Sequence, residues 1–217
     1  MHVTVNNLIA IEDLLKKKTN IKKIPKIIAV SKTFPLSWIL PLIEHGHEHF
    51  GENKVQESLN KWPEIKLTYP KIKLHMIGKL QSNKVKFVIP LFDYIHSLDN
   101  LKLAEKIANE ELKQNIKIKN FIQINIGNEE QKSGIRISYL KEFYKICKEK
   151  LGLNIIGLMC LPPKNILPSV YFSKMKQILL ENGLEELSMG MSNDYLDAVD
   201  HGSTFLRIGS KIFGDRN

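Results

Sequence analysis

Short apolar runs of β type return along this chain at intervals, and the segments between them carry apolar residues at spacings of three and four. The runs are KIIAVS (26–31), HEHF (47–50), KLHMI (73–77), FDYIHS (92–97), IKNFIQINI (118–126), NIIGLMCL (154–161), ELSM (186–189) and TFLRI (204–208). Helical spacing runs from Leu36 to His45, Leu101 to Gln114, Tyr139 to Lys150 and Val170 to Asn182. Strand and helix alternating eight-fold predict an α/β chain closed as a (β/α)8 TIM barrel. A doubly wound open sheet is the alternative built from the same alternation. Beyond the last run only Gly209 to Asn217 remain, too few for a full closing helix. A helix over about Val5 to Lys17 is therefore expected to pack against the barrel in its place. No linker, low-complexity segment or internal repeat divides the sequence, so residues 1–217 read as a single domain.

In such a barrel the residues just after each strand form the ligand face. Lys32 falls there, at the end of KIIAVS, and so do FGEN, IGKLQSNK, HSLDN, NIGNEEQKSG, GMSND and RIGS after later runs. A lysine in partly apolar surroundings loses ammonium hydration, so its pKa falls and free amine becomes available to condense with a carbonyl. A strand-end lysine that only snorkels is the ordinary alternative. Corroboration comes from the far end of the chain, where Gly190 and Ser192 follow run seven and Gly209 and Ser210 follow run eight. Barrels commonly bind phosphate at those two loops. A lysine after strand 1, phosphate loops after strands 7 and 8, and Arg207 between them describe pyridoxal 5'-phosphate. Its aldehyde would sit on Lys32, its phosphate on Ser192, Gly209 and Ser210, and its pyridine nitrogen on Arg207.

Composition narrows the setting. With 43% hydrophobic and 25% charged residues the chain is ordinary for a globular protein. No apolar run nears the roughly 20 residues that cross a bilayer, and the N-terminal charges follow the apolar part instead of preceding it, so a cytoplasmic protein is expected. Cys147 and Cys160 form no Cys-x-x-Cys pair and no disulfide framework. The net charge of +9 invites a nucleic-acid reading, but only Arg136, Arg207 and Arg216 among the 32 basic residues are arginines. Base readout and phosphate forks favour arginine, so a solvated lysine surface without specific nucleic-acid binding is expected. His45, His47 and His49 stand at period two in HGHEH, the spacing that aligns imidazoles on one face of a strand, yet no nearby cysteine or carboxylate completes a tetrahedral set. His75 and His96 read as satisfied barrel histidines, and Lys132 in EEQKSG as a rim amine, solvated or able to take a cofactor from Lys32 by exchange between imines.

The ordered set AVSKTFP, FGENKVQE, HMIGKLQSNK, IHSLD, QINIGNEEQKSGI, GLMCLP, LSMGMSNDYLDAV and GSTFLRIGSKIFGDR closely resembles the pyridoxal phosphate homeostasis protein family, over about Ile27 to Arg216. The resemblance implies a single-domain barrel, similar to the N-terminal domain of bacterial alanine racemase, that binds the cofactor covalently without established turnover. By resemblance Lys32 matches the Schiff-base lysine and Asn53 a residue beside the cofactor, while Ser192, Arg207, Gly209 and Ser210 match its phosphate and ring contacts. The implied partners are pyridoxal phosphate itself and apo forms of enzymes that use it, with the chain expected as a monomer. Departures are local: Lys79 stands where proline is usual, Cys160 where alanine is usual, and Pro162 to Leu184 is shorter than usual. A guanidinium with a pKa above about 12 cannot readily give up a proton, so Arg207 would leave the pyridine nitrogen largely unprotonated and the ring a poor electron sink. In the racemase a second acid/base comes from a tyrosine on a second, β-rich domain of the partner subunit, and no such domain is expected in this chain. A cofactor carrier is therefore expected, with an amino-acid racemase or another slow enzyme as the alternative.

Overall fold

The computed structural model describes residues 1–18, 24–163 and 166–215. Eight parallel strands close on themselves: β1 Lys26–Val30, β2 His49–Glu52, β3 Lys73–Met76, β4 Tyr94–Leu98, β5 Lys119–Ile124, β6 Asn154–Cys160, β7 Glu186–Met191 and β8 Phe205–Ile208. Closure is made by β8 against β1, with Ile28 opposite Arg207 and Ala29 opposite Ile208. The expected TIM barrel is thus the observed fold, and the open-sheet alternative is excluded.

Period-two alternation sorts each strand between lumen and shell. Ile28, Tyr94, Phe121, Met159 and Phe205 pack together inside the barrel as a small cluster of their own. Their neighbours Ala29, Ile95, Ile122, Leu158 and Leu206 face outward into the main core beneath the helices. Arg207, two residues beyond Phe205, therefore stands on the lumen side of β8.

The helices are α1 Val3–Lys16, α2 Leu36–Glu44, α3 Val55–Lys61, α4 Pro63–Thr68 and α5 Val85–Val88 in the first half of the chain. The second half adds α6 Leu101–Gln114, α7 Leu140–Lys145, α8 Pro168–Glu181, α9 Tyr195–Asp200 and α10 Ser210–Phe213, with α7 running on into a π-helical turn over Ile146–Lys150. Asn100 caps α6 by accepting from the Leu103 N–H at 2.9 Å, and Asn115 ends it in the left-handed region, φ 52°. The N-terminal helix packs where the last strand lacks a long partner. Asn7 donates to the Ile212 carbonyl at 3.0 Å, and Lys18 pairs with Asp200, the last residue of α9.

Boundaries near the ligand face differ from the sequence reading at β2, β4 and β7. β2 starts at His49, not His47, because α2 closes through a turn at Gly46 (φ 95°) in which the His47 N–H returns to the Leu42 carbonyl. Phe50, Gly51 and Glu52 consequently lie within β2, and only Asn53 of FGEN follows it. Likewise His96 to Leu98 belong to β4, and Gly190 and Met191 to β7 instead of the loop after it. The short helices α3, α4, α5 and α9 were not legible as periodic segments, since each shows the core only one or two turns. Arg216, counted among the arginines and in the last motif, lies outside the described residues.

Candidate functional site

The rim at the C-terminal ends of the strands gathers the candidate residues, and strand register does the gathering. Val30 pairs with Gly51, so Lys32 and Asn53 each stand two residues further along the same rim. Ala29 pairs with Ile208, which brings Gly209 beside Val30; a Cβ at Gly209 would sit 3.6 Å from Val30 Cβ. Lys32 is half-buried in a turn whose next residue, Thr33, takes φ 68°, uncommon for a β-branched residue.

That turn is held from outside the barrel. The Ser31 hydroxyl donates to Glu52 Oε1 at 2.8 Å, and the Ser31 carbonyl accepts from Lys61 Nζ at 3.1 Å. On the other side of Lys32, the Thr33 N–H donates to Glu57 Oε1 at 2.6 Å. Lys61 ties the two carboxylates together, 3.0 Å from Glu52 Oε1 and 3.0 Å from Glu57 Oε1, and Trp62 Nε1 adds a bond to Glu52 at 3.0 Å. Glu52 is fully buried, and burial pushes its carboxyl above the usual range against the opposing pull of Lys61. Burial also pushes Glu57 up, but the bonds from Lys61 and the Thr33 N–H outweigh it and hold that carboxyl below its ordinary value. The backbone on both sides of Lys32 is thus fixed by one ion-pair network based on α3.

Next along the rim, after β7, Ser192 is buried and its Oγ accepts from the N–H groups of Gly209 and Lys211, each at 3.3 Å. These bonds gather N–H donors at the first turn of α10, where the backbone dipoles favour an anion. Ser210 opens that helix and is exposed. Gly190, expected in the phosphate loop after strand 7, lies within that strand instead. It is buried in β7 at φ 89°, and a Cβ there would lie 2.6 Å from Ala198 Cβ and 3.2 Å from Leu206 Cδ2. Its role is close packing of α9 on the sheet.

Arg207 is buried, its guanidinium donating to Ser188 Oγ at 2.6 Å and to the Cys160 carbonyl at 2.8 Å. Burial lowers its pKa, and Cys160 and Asp194 oppose that shift. Asn53 presses its backbone against Gly78, where a Cβ would come within 2.3 Å of the Asn53 carbonyl oxygen. Its Oδ1 is buried and has no hydrogen-bond partner among the described residues. Lys132, a third exposed, pairs with Glu129 at 2.5 Å and reaches the Pro162 carbonyl at 3.4 Å. The three imidazoles of HGHEH diverge. His45 is exposed, His47 bonds to the His49 carbonyl at 2.9 Å, and His49 turns to His75 at 2.9 Å; no metal-ligating cluster of three forms among the described residues.

Sequence reasoning missed Glu52, Glu57, Lys61, Ser188 and Asp194. The Glu57 to Lys61 spacing of four was a legible helical pair, but nothing local joined it to Ser31. Fold and rim together define a (β/α)8 barrel whose C-terminal face gathers Lys32, Asn53, Ser192 and Gly209 around a buried Arg207. The alanine racemase N-terminal domain family matches residues 7–217. A pyridoxal phosphate homeostasis protein of Aquifex aeolicus is 37% identical over 202 residues, 88% of this chain and 87% of its own. One from Haemophilus influenzae is 36% identical over 217 residues, 95% of this chain and 92% of its own. Among solved structures, PipY of Synechococcus elongatus PCC7942 with PLP bound superposes with a TM-score of 0.85 at 29% identity, covering 97% of this chain and 100% of that one. Alanine racemase of Clostridium difficile 630 shares the fold at 15% identity, TM-score 0.77, over 99% of this chain and 57% of its own. This chain belongs to the pyridoxal phosphate homeostasis protein family.

Proposed function

We propose that this protein binds pyridoxal 5'-phosphate and acts in its intracellular homeostasis, holding it on Lys32 and yielding it to apo enzymes that need it. The observation that carries the reading is the pair of devices on one rim: a clamped turn presenting Lys32 after β1, and Ser192 gathering the Gly209 and Lys211 N–H groups at the neighbouring β7 and β8 ends. The residues fit the cofactor. A phosphate suits the α10 N-terminus with Ser192 and Ser210, the ring nitrogen suits a donor-only guanidinium at Arg207, and the buried Asn53 Oδ1 is an acceptor whose partner the protein does not supply. When bound, the cofactor supplies an aldehyde for an amine and an electron-withdrawing ring.

Everything else is the work of the chain's own side chains. Lys32 provides the amine, the Glu52–Lys61–Glu57 network keeps that amine in place, and Arg207 holds a neutral ring nitrogen without donating a proton to it. An unprotonated ring draws electrons weakly, which favours holding over turnover. The protein acts in this reading as a cytoplasmic monomer whose residues 1–217 form one cofactor-binding unit. Among the described residues no helix is long and apolar enough to cross a membrane.

The test is a visible spectrum of the purified protein, followed by borohydride reduction and peptide mapping. A yellow protein whose pyridoxyl group maps to Lys32 is expected. A sample that stays colourless at saturating cofactor, or a label elsewhere, overturns the reading. Rapid exchange of amino-acid α-protons in deuterated water, at about 1 per second or faster, would make it an enzyme.

A further inference from the structure

A file of polar side chains crosses the barrel lumen beneath the mouth, and none of it is needed to bind a phosphate or offer an amine. His49, His75 and His96 stand on β2, β3 and β4, with ring centroids 5.2 Å apart at each step. His49 Nδ1 lies 2.9 Å from His75 Nε2, His75 Nδ1 lies 2.9 Å from His96 Nε2, and His96 Nδ1 lies 2.9 Å from Ser188 Oγ. Ser188 Oγ then accepts from Arg207 at 2.6 Å. His75, His96 and Ser188 are fully buried. Aromatic rings hold the imidazoles in plane: His75 stacks on Tyr94 at 4.2 Å and His96 on Phe121 at 4.3 Å.

The polarity of this file is set at one end. A guanidinium only donates, so Ser188 Oγ must accept from Arg207. Among the described residues the one other partner of that hydroxyl is His96 Nδ1, so the serine proton goes there. His96 then carries its proton on Nε2 and donates to His75 Nδ1, and His75 in turn donates from Nε2 to His49 Nδ1. The reverse polarity would strand the serine hydrogen in a site closed to water, a cost of the order of a lost hydrogen bond. Doubly protonated rings are disfavoured by burial, which holds His75 and His96 well below the usual imidazole range, with Arg207 adding to the effect at His96.

We propose that Ser188, His96, His75 and His49 form a one-way positioning relay that fixes the Arg207 guanidinium from the barrel floor upward, so that it meets the cofactor ring as a donor in a single orientation. The functional part of this inference rests on the cofactor reading above; the relay itself does not. In the relay the histidines are neutral wires of fixed tautomer, and Ser188 is the joint at which the arginine is anchored. Without that joint the guanidinium keeps, among the described residues, the Cys160 carbonyl alone, and its hold on the ring nitrogen loosens.

Two measurements test it. Long-range proton–nitrogen correlation spectra of the cofactor-free wild-type protein, labelled with nitrogen-15 at histidine, should show His49, His75 and His96 as neutral Nε2–H tautomers at neutral pH. An Nδ1–H tautomer or an imidazolium at His75 or His96 overturns the relay, whatever the cofactor does. In the loaded protein, Ser188→Ala should shift the pH midpoint of the cofactor's visible band by about one unit, a tenfold change in proton affinity, while cofactor content is retained. Ser188→Thr, which keeps the hydroxyl, should restore the wild-type midpoint. A loaded Ser188→Ala protein that titrates like the wild type removes the positioning role. If the wild type binds no cofactor, the functional reading fails and the tautomers still decide the relay, as they do if Ser188→Ala does not fold.

Discussion

Lys61 donates to the carbonyl oxygen of Ser31 at 3.1 Å, so a cation at the end of α3 grips the backbone one residue before Lys32. The same ammonium neutralises Glu52, which is fully buried, and Glu57, which holds the residue after Lys32. Position and charge are therefore coupled at the lysine proposed to carry the cofactor.

Lys61→Met should destabilise the protein by about 3–5 kcal/mol, because it leaves a buried carboxylate without its cation. Adding Glu52→Gln should recover part of that loss. Urea unfolding of the single and double variants checks it. Where the single variant still folds, covalent loading of Lys32 should be slower than in the wild type.

Ser192→Ala removes the oxygen that receives the Gly209 and Lys211 N–H groups. Loss of such a helix-start acceptor costs about 1 kcal/mol of stability. Cofactor affinity should weaken further, by about tenfold for a change of 1.4 kcal/mol, read by equilibrium dialysis. Undiminished affinity would move the phosphate away from α10.

Gly190→Ala should be severe. The added methyl meets Ala198 Cβ at 2.6 Å, and φ 89° is strained for any side chain. Overpacking and backbone strain together predict about 2–4 kcal/mol, seen as a lower thermal midpoint.

Acid should weaken the fold early. Burial holds His47 down to about 4, and burial with the charges of His47 and Lys26 does the same for His49. In the unfolded chain these rings take up a proton near 6.5, whereas the folded protein refuses it until about 4. The stability they contribute is complete above about pH 6.5 and is lost progressively as pH falls toward about 4, with a slope of up to about 1.4 kcal/mol per unit for each ring. Denaturant midpoints at about pH 7 and about pH 5 measure it. Equal midpoints would show that the rings titrate normally.

Lys32→Ala should abolish the covalent link and leave stability within about 1 kcal/mol of the cofactor-free wild type, since the clamp grips the backbone of Ser31 and Thr33, which the substitution leaves in place. Ser192, Gly209 and Ser210 would still hold the phosphate, so cofactor should be retained weakly and exchange quickly on dialysis.

The sequence by itself determined the eight strands, the long helices α1, α2, α6 and α8, and the places of Lys32, Asn53, Ser192, Arg207, Gly209 and Ser210. Those features are written in local terms: apolar periods of two and of three to four, and polar residues at the ends of strands. It did not determine where β2 begins, because Gly46 and the return of the His47 N–H to Leu42 depend on how α2 ends against the barrel. Only the tertiary structure decided that Gly190 is a packing glycine, that Lys132 is paired, and that Lys32 sits in a clamp built by α3. It also decided that His49, His75, His96, Ser188 and Arg207 join in one file. Each of these rests on lateral register between strands and on the closure of β8 against β1, which place side chains from distant parts of the chain within hydrogen-bond reach, and such registers are set by the packing of the whole barrel instead of any stretch of residues within it.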